Sequence, residues 1–224
     1  MSENTEDIGR NAENAARSLV ELVSGLQARG IEHSLEAHRI YSFLTHCAGN
    51  MKTALTLLRT SVEGLQDKGL LMSDYRGEPL DEVLQRYTES TAAAEQLAGV
   101  LGESDSAVER RAYKEGASGE TEPTTADRFF ADLVTDLRDR GIEYPLEAYR
   151  IYSFLTRCAG EIRTALTLLK TCREGLHDDE VLQRYAESSR TAEQFAAMLG
   201  KAYSAVGHLA YKETPEGQES AAGS

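Results

Sequence analysis

The chain has no tryptophan, only four prolines and only three cysteines among its 224 residues. An odd and small number of cysteines excludes a disulfide framework and points to a reduced, cytoplasmic setting. So few prolines leave long stretches free of the residue that most strongly breaks helices. No run approaches the roughly 18 apolar residues of a membrane-spanning helix. The opening segment MSENTEDIGRNAENAAR lacks the basic and apolar regions of a secretory signal. Positive charge is also short. Lys and Arg number 24 against 37 Asp and Glu, a net charge of -13. That leaves no basic footprint to displace counterions from phosphate, which argues against a nucleic-acid partner. No stretch alternates apolar and polar residues as a strand would, and hairpin turn dipeptides are missing.

What the chain does have is a second copy of itself. RGIEHSLEAHRIYSFLTHCAGNMKTALTLLRTSVEGL begins at Arg29, and RGIEYPLEAYRIYSFLTRCAGEIRTALTLLKTCREGL begins at Arg140. Of these 37 positions, 27 are identical at an offset of 111. A second block, DEVLQRYTESTAAAEQLAGVLGESDSAVERRAYKE from Asp81, matches the segment from Asp179 at 22 of 35 positions and an offset of 98. The fall in offset from 111 to 98 gives the first copy 13 extra residues, within 66–80. A period near 100 residues exceeds that of solenoid repeats, so each copy is the size of a domain.

The boundaries follow from composition. Residues 1–10 and 214–224 are expected to be disordered tails. Repeat one spans 11–115 with its insertion at 66–80, a polar linker covers 116–125, and repeat two spans 126–213. Apolar spacing predicts four helices in each copy. In the first copy these run from about Asn11 to Ala28, from Ser34 to Gly49, from Asn50 to Leu65 and from Leu80 to Leu101. Gly30 and Gly141 suit the position just past a helix end. Ser34 suits an N-cap, Pro145 the first helical position, and Ser106 with Glu109 resembles a capping box. The expected fold is all-α, a tandem duplication of a four-helix, bundle-like unit packed as a pseudo-twofold fused dimer.

Chemistry is harder to find. No P-loop, dinucleotide-binding glycine pattern or nucleophile elbow is present. Cys47 and Cys158 fall on an apolar stripe, as small core residues do. Glu32, His33, Glu36 and His38 carry donor types that metals use, but Tyr144 and Tyr149 replace both histidines in the second copy. No catalytic residue, metal or cofactor is therefore expected, and no enzyme.

The polar and aromatic set on the second helix recurs in both copies. Arg39, Tyr41 and Phe43 match Arg150, Tyr152 and Phe154, with Tyr149 beside them. The insertion adds Leu71, Met72 and Tyr75 in an otherwise polar connection. These are the candidate binding residues. The leading expectation is an acidic, non-enzymatic adaptor, assembly component or regulator that binds a protein through its duplicated helix faces. The alternative is a small-molecule binding or sequestering protein, taking an apolar or aromatic compound in an aromatic-lined pocket within or between the repeats. In either case the expected protein is a cytoplasmic monomer with an internal pseudo-dimer, with no membrane or nucleic-acid partner.

Overall fold

A computed structural model describes residues 3–31, 33–69, 71, 80–114, 125–171 and 179–210. The order is α1 (Glu3–Arg29), α2 (Ser34–Asp67), α3 (Leu80–Lys114), α4 (Thr125–Arg140), α5 (Pro145–Thr171) and α6 (Asp179–Ala210). The protein is all-helical, and no described residue lies in a strand. Among the described residues no helix is long and apolar enough to cross a membrane.

Four sequence expectations need correction. Each half contributes three helices rather than four, because α2 runs unbroken through Gly49 and α5 through Gly160. An interior glycine costs a helix about 1 kcal/mol relative to alanine. The apolar stripe continues in phase across it. Cys47, Ala48, Met51, Ala54, Leu55 and Leu58 are all fully buried, so packing outweighs the local penalty. The segment expected to be a disordered tail is helical from Glu3. Ser34 is the first helical residue rather than the cap; the cap is His33, which makes no side-chain capping bond. Ser106 likewise lies inside α3, its hydroxyl donating to the Gly102 carbonyl at 3.0 Å.

Other signals hold. Gly30 and Gly141 adopt φ of 69° and 68°. Their amides donate to the carbonyls of Leu26 and Leu137 at 2.8 and 3.0 Å. This left-handed stop is costly for any residue with a Cβ. Pro145 opens α5. The linker at 116–124 and the C-terminal tail fall outside the described residues, as do Leu70, Met72, Tyr75 and Cys172.

The helices pair in an order unlike their order in the chain. α2 packs on α3 and α5 on α6, and α3 lies against α6. α1, however, packs on α4 and α5, while α4 packs on α1 and α2. Among the described residues α1 does not touch α2, nor α4 touch α5. Leu19, Val23 and Leu26 of α1 and Phe130, Leu133 and Leu137 of α4 are buried in the same continuous core. Asn11 Nδ2 donates to Asp136 Oδ2 across the α1–α4 seam at 3.0 Å. Leu71, from the insertion, is also buried in that core.

Two glycine substitutions should move stability in opposite directions. A Cβ at Gly160 meets nothing within 4 Å, so Gly160→Ala should stabilise by about 0.5–1 kcal/mol. Gly141→Ala forces a positive φ on alanine and should destabilise by about 1 kcal/mol or more. Urea denaturation of the two variants checks both signs.

Candidate functional site

Four tyrosines form two separate pairs inside the bundle. Tyr41 from α2 stacks on Tyr185 from α6, with ring centroids 5.1 Å apart and an interplanar angle of 22°. Tyr87 from α3 meets Tyr152 from α5 edge to face at 5.1 Å and 87°. All four are fully buried. Ser90 and Tyr152 share a hydrogen bond at 2.8 Å, and Ser104 and Ser188 share another at 2.8 Å. The hydroxyls of Tyr41 and Tyr87 find no hydrogen-bond partner. Burial pushes both phenols well above their ordinary pKa, and the neighbouring Tyr185 and Tyr152 push the same way. Ser188 lies close enough to Tyr41 to lower it slightly, but its hydroxyl is engaged with Ser104. Tyr152 is raised too, by burial, with Ser90 and Arg86 opposing. The phenols of Tyr41, Tyr87 and Tyr152 therefore stay protonated at ordinary pH and serve as packing.

The sequence candidates therefore separate. Tyr41 and Tyr152 point inward, while Arg39 and Arg150 are exposed. Residues two apart on a helix project to nearly opposite sides, since each step turns about 100°. Phe43 is buried and Phe154 half-buried against the core. No single pocket gathers all of them. Cys47 and Cys158 are free and buried, and burial pushes the Cys158 thiol up to about 12, which leaves it unreactive. Among the described residues no cluster of His, Cys, Asp and Glu is placed to hold a metal.

One position differs in kind between the two similar segments. On α2, His38 Nδ1 lies 2.9 Å from Asp105 Oδ1 of α3. At the matching positions Tyr149 and Tyr203 stack at 5.0 Å and 16°, and their hydroxyls hydrogen-bond to each other. A third position changes with them. Gly207 lies under the Tyr149 ring, where a Cβ would fall 3.1 Å from Cε2, and its match on α3 is Glu109. Burial raises the Asp105 carboxyl above its ordinary range. His38 offsets part of that, and Glu109 adds to it.

An open groove runs between α2 and α4. It encloses about 500 Å³ and is lined by Thr45, His46, Gly49, Asn50, Thr53, Arg128 and Ala131. Gly49 gives it an unobstructed floor. The Thr45 and Thr53 hydroxyl protons go to the carbonyls of Tyr41 and Gly49 at 2.8 and 3.1 Å. Their methyls are thus the usable part of these side chains. Among the described residues no carboxylate lines the groove. Sequence reasoning missed this site because Arg128 sits just beyond the polar linker, far in sequence from α2.

Two measurements test these arrangements. Tyr41→Phe and Tyr87→Phe remove hydroxyls that have no partner, so each should leave stability unchanged or raise it by about 1 kcal/mol. Tyr152→Phe breaks its bond to Ser90 and should cost about 1–2 kcal/mol. Chemical denaturation ranks the three. Asp105 holds its proton more tightly folded than unfolded, so its ionisation erodes stability as pH rises from its unfolded pKa through its raised folded one. The stability of Asp105→Asn relative to the parent should therefore climb across that acid range, read from urea midpoints between pH 4 and 7. A flat difference contradicts the assignment.

Compared with protein-family models, curated proteins and solved structures, the chain matches none of them.

Proposed function

We propose that the chain is a tandem duplication folded as an internal pseudo-dimer, and that it works as a small-molecule binding protein whose site is the groove between α2 and α4. Two features support the pseudo-dimer. The first helix of each half packs on the second helix of the other, α1 on α5 and α4 on α2. The tyrosines also cross, Tyr41 to Tyr185 and Tyr152 to Tyr87, each pair taking one ring from each half. Under this reading neither half closes a core alone.

The observation that carries the function is the groove itself. It lies at the seam between the halves, and its volume falls in the range of ordinary ligand sites, roughly 300–1,000 Å³. The interior is packed with apolar and tyrosine side chains, which supports a site at the surface. An adaptor reading would instead rest on Tyr113, Tyr144, Leu146 and Met198, the exposed large apolar side chains among the described residues. None of these belongs to the recurrent set on α2 and α5 that the adaptor expectation named.

Native mass spectrometry of protein taken from its own host tests the function. The expected result is retention of a molecule of low mass that denaturation releases. A retained protein partner with no small molecule would sink the reading in favour of the adaptor. Residues 1–116 expressed alone test the pseudo-dimer. Lacking α4 and α5, they should fail to give a folded monomer by circular dichroism and sedimentation; a stable, cooperative monomer contradicts the exchange.

A further inference from the structure

The groove's chemistry narrows what it takes, and the inference rests on the binding reading above. Arg128 is exposed at its edge and has no hydrogen bond or ion pair with any described residue. Arg17 pairs with Glu13, Arg59 with Glu63, and Arg184 with Glu103 and Glu187, so Arg128 is among the arginines left available. Asn50 also has its amide unengaged, and His46 stands one residue from Thr45 on the same wall. The remaining surface is Gly49, Ala131 and the two threonine methyls, which is small and apolar.

We infer that this groove binds a small organic oxyanion, a carboxylate or phosphate monoester on a compact apolar body. The Arg128 guanidinium receives the charged end. A guanidinium presents parallel N–H donors that match two oxygens of such a group, and the paired, charge-assisted bonds are stronger than neutral ones. The Asn50 amide adds a donor from α2, and the apolar body lies over Gly49 and Ala131. The net charge of -13 works against anion binding over the molecule as a whole, so a lining with no carboxylate among its described residues adds selectivity.

The matching positions on the other side of the molecule do not repeat the site. On α5, Glu161 stands where α2 has Asn50, and Arg157 where it has His46. On α1, Arg17 stands where α4 has Arg128, and it already pairs with Glu13 at 3.6 Å. A carboxylate in the wall and an occupied arginine cancel the attraction, so the inference assigns one site per chain rather than two.

The test is an amide NMR titration of the full-length protein at pH 7 with three probes of one shape: benzoate, phenyl phosphate and neutral benzamide. Benzoate or phenyl phosphate should saturate shifts at residues 45–53 and 128–131, and whichever binds tighter identifies the head group. Arg128→Gln should weaken that binding by roughly tenfold or more, Arg128→Lys should restore part of it, and Arg39→Gln should leave it unchanged. Arg128 is exposed, so these variants should fold as the parent does. The inference is overturned if benzamide binds as tightly as the anions, if Arg128→Gln has no effect, if the shifts map elsewhere, or if neither anion saturates. Failure of both anions alongside a small molecule retained from the host overturns the oxyanion alone. Arg128-dependent anion binding alongside a retained protein partner overturns the small-molecule function and leaves the oxyanion site standing.

Discussion

Tyr41, Tyr87, Tyr152 and Tyr185 come from α2, α3, α5 and α6, and they can be buried only while those four helices stay together. Each ring takes roughly 150–250 Å² out of water, which makes the four together a large stabilising contribution. They also carry a cost, because the Tyr41 and Tyr87 hydroxyls are buried without a partner. Each pair joins a helix from the first half of the sequence to one from the second. α1 and α4 then have to cover the remaining apolar faces, and each does so on a helix that does not adjoin it in sequence.

Much of this was legible in the residues. The 3.6-residue spacing marked the helices, and the glycines at 30 and 141 marked two of their ends. The interior glycines misled because Gly49 and Gly160 are ordinary stop signals. What overrode them was the phase of the stripe: Cys47, Met51 and Leu55 stay on one face through the glycine. A sequence written as two shorter helices would have had no reason to keep that phase. Which helix α1 would cover was not legible, because an apolar face states that it needs a partner and not which one.

The candidate site was less legible for a related reason. Arg39 and Tyr41 are neighbours in the text and sit on different sides of the helix in space. Arg128 and Asn50 are distant in the text and line one groove. The change from His38 and Asp105 to Tyr149 and Tyr203 could have been read from the paired alignment alone. Three matched positions differ together, and they act on one another: His38 bonds Asp105 while Glu109 raises its carboxyl, and Tyr149 stacks on Tyr203 beside Gly207.

The contact of Gly207 with Tyr149 leaves little slack at that point of α6. A Cβ at 207 would lie 3.1 Å from Cε2 of the ring, tighter than ordinary contact, so the ring would have to give by a few tenths of an ångström to admit a side chain. Glu109, at the matching place on α3, answers to a different neighbour, the Asp105 carboxyl whose proton it helps to hold. Exchanging the two residues would press on a ring at one place and remove a like charge from beside a carboxylate at the other. Two segments of similar sequence thus set different local rules for what each position can carry.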